Sequence, residues 1–130
     1  MIVLDASAAV EWLLGLRRAG AVESRIVDAG TVHAPQLLPV EVAHVVRRLV
    51  IAEGLDPERG AEALDDLVDL GVATHPHEPL LGLIWGMRAN LTAYDAAYVA
   101  VAAAIGAPLV TLDARLAAAP DTGVEIDLVD

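Results

Sequence analysis

The chain is predicted to fold as a single α/β domain over residues 1–130, with a mostly parallel sheet of roughly four or five strands flanked by helices. Three observations predict this class. Short apolar runs alternate with longer amphipathic ones, which is the pattern of βαβ units. Hydrophobic residues make up 56% of the 130 positions, which is enough for one core. No repeat, linker or low-complexity segment interrupts the alternation.

The strands are predicted from short apolar runs that end at polar or turn-forming residues. The first begins directly after Met1, and the last is expected at an edge of the sheet. In chain order they cover residues 2–4, 31–34, 72–75, 109–112 and 124–129.

The helices are predicted from amphipathic periodicity together with start and stop signals. Asp56 followed by Pro57 is typical of a helix start, and Thr92 with Asp95 resembles a capping box that has Asp in place of Glu. A glycine follows each of the first four helices. In chain order the helices cover residues 6–14, 17–29, 40–53, 57–70, 79–90 and 93–105.

Four acidic residues stand where a strand ends or a helix begins: Asp5, Glu41, Asp95 and Asp113. Asp5 and Asp113 follow predicted strands, and open parallel sheets bind ligands outside the carboxyl ends of their strands. Glu41 and Asp95 lie in first helical turns, where the helix dipole favours a carboxylate. Singly, each is an ordinary turn or cap residue; together they indicate one site. Two carboxylates ~4 Å apart repel by roughly 4 kcal/mol at an effective dielectric of about 20, so such a site needs divalent cations.

The net charge is −11, and all eight basic residues are arginine. On composition alone this acidity disfavours a nucleic-acid partner, because phosphate contacts dominate such binding, and it suits a basic protein partner. Bound metal would neutralise part of the negative charge. Two interpretations therefore stay open for Arg47, Arg48 and Arg88. They contact nucleic-acid phosphates, or they are ordinary surface arginines.

The chain has no cysteine, which excludes disulfides and thiolate chemistry and is compatible with a cytoplasmic location. The segment after Met1 lacks the features of a secretory signal. The longest uncharged stretch, residues 96–112, is interrupted by Gly106 and Pro108. We therefore predict a buried helix and strand there, and no membrane span.

Four segments that contain these acids resemble the signatures of PIN-domain ribonucleases, in particular the VapC toxins of bacterial toxin–antitoxin pairs. They are Asp5-Ala6-Ser7-Ala8, Glu41 in a helix preceded by proline, Leu91-Thr92-Ala93-Tyr94-Asp95-Ala96-Ala97-Tyr98-Val99-Ala100, and Thr111-Leu112-Asp113-Ala114-Arg115-Leu116. The resemblance covers essentially the whole chain in order and spacing.

The resemblance implies a metal-dependent endoribonuclease whose metal ligands are Asp5, Glu41, Asp95 and Asp113, with Mg²⁺ or Mn²⁺ as cofactor. Hydrolysis by water would leave 5′-phosphate and 3′-hydroxyl ends on the RNA. A VapB-like antitoxin with an Arg-bearing tail is the implied protein partner, in a homodimer or a toxin–antitoxin hetero-oligomer.

Two further polar residues match the family pattern, and two positions depart from it. Ser7 and Thr111 are candidates to hydrogen-bond a carboxylate or a metal-bound water, or they are ordinary polar residues of a helix start and a strand end. Ala6 stands where the family often has Thr. No further acid follows Asp113 at residues 116–117, so one firmly held ion is expected, with a second arriving with RNA.

The acids and the histidines also have other interpretations. Receiver domains and haloacid-dehalogenase-like phosphotransferases need a Lys that the chain lacks. A PIN fold acting only as an antitoxin-binding module or scaffold is the alternative from another class. The segment from His75 to Glu78 is predicted to be a solvated turn, and His44 is predicted to pack or to line a pocket rim without ligating metal.

Overall fold

Five parallel strands form the sheet in the computed structural model, which describes all 130 residues. The strands are β1 (Ile2–Leu4), β2 (Val32–Pro35), β3 (Ala73–His75), β4 (Leu109–Thr111) and β5 (Ile126–Leu128). Their order is β3-β2-β1-β4-β5, so β1 is central although it comes first in the chain. Val3 lies opposite both His33 on β2 and Leu109 on β4. The carboxyl ends of β1 and β4 therefore lie side by side.

Seven helices connect and flank the strands. They are α1 (Ala6–Leu13), α2 (Ala19–Ala29), α3 (Leu38–Glu53), α4 (Pro57–Leu70), α5 (Leu81–Gly86), α6 (Ala93–Ile105) and α7 (Ala114–Ala117). A 3₁₀ turn over Glu78–Leu80 leads into α5. No helix is both long enough and apolar enough to cross a membrane.

The helices start and stop where polar caps and glycines direct them. The Asp56 side chain accepts a hydrogen bond from the backbone N–H of Glu58 at 3.0 Å. The Thr92 hydroxyl accepts one from the backbone N–H of Asp95 at 3.2 Å. Gly54 ends α3 in the left-handed region with φ of 73°. Gly60 lets α4 approach α3 closely, since a Cβ at this position would lie 2.9 Å from Val46 Cγ1.

The core is built from small aliphatic residues on both faces of the central strands. Val3, Leu4, Leu109 and Val110 are fully buried. Seven consecutive residues of α6, 96–102, are also buried, so this helix lies inside the molecule. Burial of aliphatic side chains without any Phe explains the high content of Ala, Val and Leu.

The predicted α/β class and parallel sheet are confirmed, and the differences are local. The helix predicted over 79–90 is a 3₁₀ turn followed by α5, which ends at Gly86 because glycine does not favour continuation. Helix α7 was not predicted because its four residues are too few for a periodic signal. Helix α3 begins at Leu38, two residues earlier than expected, with Pro39 in its first turn.

Candidate active site

One cavity of about 440 Å³ is lined by all four predicted site residues, Asp5, Glu41, Asp95 and Asp113. Asp5 and Asp113 follow β1 and β4, whose carboxyl ends are adjacent. Glu41 and Asp95 come from the first turns of α3 and α6. We call this space the acidic cavity. Residues more than one hundred positions apart thus meet because β4 pairs with β1.

Asp5 is the most buried of the four acids, with 6% of its surface exposed. Its Oδ1 accepts hydrogen bonds from Ser7 Oγ at 2.6 Å and from the N–H of Ala8 at 3.0 Å, and its Oδ2 accepts one from the Thr111 hydroxyl. Asp5 therefore caps α1 while facing the acidic cavity. Burial raises the pKa of Asp5 most, these hydrogen bonds oppose the rise, and the charge of Asp113 adds to it.

Two hydroxyl groups join the loop after β1 to the loop after β4. Ser7 Oγ accepts from the N–H of Leu112, and Thr111 Oγ1 accepts from the N–H of Asp113, each at 3.0 Å. The two hydroxyls are 3.4 Å apart, but each donates its single hydrogen to Asp5, so the contact between them is not a hydrogen bond. Ser7 and Thr111 thus fix the Asp5 carboxylate from two sides.

Asp113 is held in a similar way at the end of β4. Its Oδ1 accepts hydrogen bonds from the N–H groups of Arg115 at 2.8 Å and Leu116 at 3.4 Å, which caps α7. Its Oδ2 lies 3.3 Å from the Arg115 guanidinium. That arginine is 87% exposed, so the ion pair stabilises the fold little. The backbone N–H groups mainly fix Asp113.

Glu41 and Asp95 differ from the other two acids, because neither carboxylate accepts a hydrogen bond of normal geometry. Glu41 Oε1 is buried and has no partner, and the same is true of the nearby Tyr98 hydroxyl. These two groups influence one another electrostatically without meeting hydrogen-bond geometry. Burial and then neighbouring negative charge raise the pKa of Asp95, with Asp113 the main neighbour. Burial likewise raises the pKa of Glu41, with Asp95 and Asp5 adding to it.

The donor atoms of the acidic cavity are those that Mg²⁺ and Mn²⁺ prefer. All four candidate ligands are carboxylates, and the orphaned Glu41 Oε1 offers a buried oxygen that no protein group satisfies. As placed, no three His, Asp or Glu side chains are close enough together to share one metal ion. The residues therefore fit a divalent cation in donor type, and all four line the same cavity.

Several residues of the cavity wall were not predicted from the sequence. They are Tyr98, Glu11 and Arg18, which line the acidic cavity beside Arg48, a residue already predicted as a candidate for phosphate contact. Tyr98 is only 2% exposed, and burial among the acids raises its pKa strongly. Only Tyr98 had a local signal, its place in the segment around Asp95; the others come from helix packing and loop closure.

Of the histidines, His44 is exposed and lies outside the acidic cavity. The segment after β3 is more ordered than the predicted solvated turn. His75 Nε2 is 3.0 Å from His33 Nδ1, and His77 Nε2 accepts a hydrogen bond from the N–H of Leu37 at 3.0 Å. All three of these rings are half-buried because β3 pairs with β2. None of them contributes to the carboxylate site.

Comparison with known proteins identifies the family. The PIN domain model matches residues 2–121. Ribonuclease VapC1 of Mycobacterium tuberculosis is 42% identical over 128 residues, which cover 98% of this chain and 96% of the relative. Ribonuclease VapC12 of the same species is 40% identical over 129 residues, covering 99% of each chain.

Two solved structures share the fold at lower sequence identity. PAE2754 from Pyrobaculum aerophilum has a TM-score of 0.68 and 23% identity, covering 97% of this chain and 87% of its own. VapC20 of Mycobacterium tuberculosis is described as a sarcin–ricin loop cleaving toxin. It has a TM-score of 0.67 and 17% identity, covering 91% of this chain and 94% of its own. On the family match and the near-complete coverage of its relatives, the chain belongs to the PIN-domain family, in its VapC-type group.

Proposed function

We propose that the protein is a metal-dependent endoribonuclease that acts as the toxin of a toxin–antitoxin pair. The observation that carries the proposal is the meeting of four carboxylates in one cavity, one of them with an unsatisfied buried oxygen. The relatives named Ribonuclease VapC at 40–42% identity indicate the substrate class. Retention of all four acids favours an active enzyme over a PIN fold that serves only as a binding module.

The carboxylates of Asp5, Glu41, Asp95 and Asp113 would hold Mg²⁺ or Mn²⁺, with one firmly bound ion expected. When bound, the ion lowers the pKa of water and stabilises negative charge that develops on phosphate oxygens. Asp5 orients its carboxylate through hydrogen bonds from Ser7 and Thr111. Ser7 and Thr111 thus serve as positioning residues.

The chemistry proposed for this site is hydrolysis of a phosphodiester by water, which leaves 5′-phosphate and 3′-hydroxyl ends. No side chain of the acidic cavity is a thiol or a histidine, so its own candidate groups are carboxylates, hydroxyls and arginines. The Tyr98 hydroxyl stays protonated because burial and the surrounding carboxylates raise its pKa. It can therefore donate a hydrogen bond toward Glu41, whose buried Oε1 has no other partner.

The test is cleavage of total RNA and of single-stranded oligonucleotides by the purified protein with Mg²⁺ or Mn²⁺. We expect cleavage that is lost with EDTA and lost in Asp5→Ala, and products that a 5′-phosphate-dependent exonuclease degrades. Activity that survives both EDTA and Asp5→Ala would contradict the proposal. Products with cyclic phosphate ends would show that a 2′-hydroxyl and not water attacks phosphorus.

A VapB-like antitoxin is the proposed protein partner, because a basic tail complements an acidic cavity on a chain of net charge −11. We also propose a homodimer. Helix α5 exposes apolar surface that supports this, with Leu81 55% and Trp85 68% exposed. Co-expression with a short upstream reading frame should relieve growth arrest, and light scattering should give twice the mass of the chain. A monomer at micromolar concentration would contradict the dimer.

A further inference from the structure

Part of the wall of the acidic cavity is not formed by the four candidate ligands. This part runs along α3 beyond Glu41 and along the loop after α1, and it includes the arginines Arg18 and Arg48. One continuous space thus holds the four acids and two arginines, one of which pairs with the Glu11 carboxylate. We call the part of the wall that carries Arg18 and Arg48 the arginine end.

Arg48 lies on the same face of α3 as Glu41, since seven residues make about two turns and span roughly 10 Å. Its side chain is exposed and makes no salt bridge or hydrogen bond with any residue of the chain. A guanidinium that lines a cavity without a protein partner is available to an anionic ligand.

Arg18 is held at the rim by a buried carboxylate. Glu11, 8% exposed, accepts hydrogen bonds through Oε1 from the backbone N–H of Arg18 at 2.9 Å and from its Nε at 3.5 Å. The Nε contact is long, so the backbone bond does most of the positioning. The two terminal nitrogens of the Arg18 guanidinium make no hydrogen bond and are free to bind phosphate.

Four of the other six arginines are placed elsewhere. Arg47, adjacent to Arg48, lines a separate apolar groove between α3 and α4. Arg88 stacks over the Trp85 ring at 4.8 Å. Arg25 pairs with Asp127 at 2.6 Å, and Arg59 donates to the carbonyl of Leu13. Of the three candidates for phosphate contact, Arg47, Arg48 and Arg88, only Arg48 lines the acidic cavity.

We propose that Arg48 and Arg18 bind an RNA phosphate that flanks the scissile one, so that they set the register of the strand in the acidic cavity. A cation held by the four acids would bind one phosphate, and Arg48 and Arg18 would bind a second, which requires a ligand with repeated phosphates. A mononucleotide does not supply this spacing. The proposal rests on the proposed ribonuclease function and specifies how that same site holds its substrate.

The experiment measures steady-state cleavage of one single-stranded RNA oligonucleotide with Mn²⁺ by wild type, Arg48→Ala, Arg18→Ala and Arg47→Ala. We expect Arg48→Ala to raise KM about tenfold and to change kcat little, and the slope of log KM against log salt to fall by roughly 0.7–1. Arg18→Ala should do the same to a smaller extent. Arg47→Ala is the matched control, with the same charge change one residue away, and should match wild type.

The outcomes separate this inference from the proposed function. A wild type that cleaves no RNA with Mn²⁺ overturns both. A wild type that cleaves, together with Arg48→Ala and Arg18→Ala variants whose KM and salt slope are unchanged, overturns the inference alone. Equal effects of Arg47→Ala and Arg48→Ala would show a general loss of charge and would likewise overturn it. Arg48→Lys should restore the salt slope, and thermal unfolding should confirm that each variant is folded.

Discussion

The four carboxylates of the acidic cavity fall into two pairs that the protein treats differently. Asp5 and Asp113 follow strands, cap the helices α1 and α7, and accept hydrogen bonds from backbone N–H groups. Glu41 and Asp95 lie inside the first turns of α3 and α6, and their carboxylates accept none of normal geometry. Hydrogen bonds within the fold therefore fix the strand-end pair, whereas the helix-start pair has none of normal geometry.

This difference assigns separate tasks to the two pairs. A carboxylate held by N–H and hydroxyl donors keeps its position without a cation. A partly buried carboxylate without donors is unfavourable when ionised, and it gains most when a cation arrives. We therefore expect substitutions that remove the hydrogen-bond acceptor in the first pair to lower both stability and activity. Substitutions in the second pair should change cation binding and activity while sparing the fold.

The largest effect is expected at Asp5. Asp5→Asn and Asp5→Ala should both lower RNA cleavage more than ~100-fold, beyond what loss of an outer-shell partner costs. They should differ in stability. Asn keeps an oxygen that can cap α1, whereas Ala leaves the Ala8 N–H and the Thr111 hydroxyl without their acceptor. The free energy of unfolding of Asp5→Ala should be about 1–2 kcal/mol below that of Asp5→Asn.

Urea denaturation with EDTA present measures that difference. Without divalent cations Asp5→Asn should unfold at no lower urea concentration than wild type, because it removes a charge that burial disfavours. Equal stability of Asp5→Ala and Asp5→Asn would show that the cap contributes nothing and would remove the distinction between the two pairs.

The next effect is expected at Glu41 and concerns cation binding. Glu41→Gln should weaken Mn²⁺ binding by roughly 100-fold and lower cleavage accordingly, because the amide lacks the negative charge with which the unpartnered carboxylate attracts a cation. Without metal its stability should equal or exceed that of wild type, since no hydrogen bond to the carboxylate is broken. Calorimetric titration and thermal unfolding with and without Mn²⁺ measure both quantities. Asp95→Asn is a parallel variant with the same expectation.

A clear loss of metal-free stability in Glu41→Gln would contradict this prediction, because it would reveal a structural contact that the geometry lacks. A wild type whose thermal midpoint does not rise with Mn²⁺ would contradict the assignment of the helix-start pair to a cation.

A smaller effect is expected at Thr111, which connects the two strand-end acids. Thr111→Val keeps the shape of the side chain but removes a hydroxyl that donates to Asp5 and accepts from the N–H of Asp113. The free energy of unfolding should fall by about 1–3 kcal/mol, and cleavage by roughly tenfold. Thr111→Ser retains the hydroxyl and is the control. Wild-type cleavage by Thr111→Val would show that Ser7 alone positions Asp5.

The two pairs also differ in how far the sequence predicts them. Asp5 and Asp113 follow apolar runs, so the carboxyl-end rule for parallel sheets places them together once β1 and β4 are taken as neighbours. Glu41 and Asp95 have only first-turn positions, which indicated the same edge of the molecule, and the family resemblance added their role as metal ligands. The free oxygen of Glu41 lies near the Tyr98 hydroxyl of α6, a proximity across more than fifty residues that no local pattern encodes.

The remaining differences have the same cause. The segment after β3 was predicted to be a solvated turn because its local composition suits one. The pairing of β3 with β2 instead brings His75 against His33, and that register is a property of residues forty positions apart. Arg48 was among the arginines predicted as candidates for phosphate contact, but Arg18 was missed for a similar reason, since it reaches the arginine end through the turn after α1 and its bond to Glu11.

His33 and His75 form a pair outside the acidic cavity and serve as a reference for it. The effect predicted for their protonation on the free energy of unfolding is the smallest. Burial lowers the pKa of His33, and the neighbouring charges of His75 and of the terminal amine add to this. A lowered pKa in the folded state means that the unfolded state binds more protons below about pH 6.5. His33 therefore contributes stability above its unfolded pKa that is lost as the pH falls through the folded value.

The size of this effect is best taken as a difference between wild type and His33→Gln, because the carboxylates also titrate in the metal-free protein. Wild type should lose more free energy of unfolding than His33→Gln between pH 7.5 and pH 5.5, by less than about 1 kcal/mol. Cleavage at a fixed neutral pH should be equal in the two proteins, since the pair lies outside the acidic cavity. A lower kcat in His33→Gln would connect the β2–β3 edge to the site. An identical pH dependence would show that His33 is as readily protonated in the folded chain as in the unfolded one.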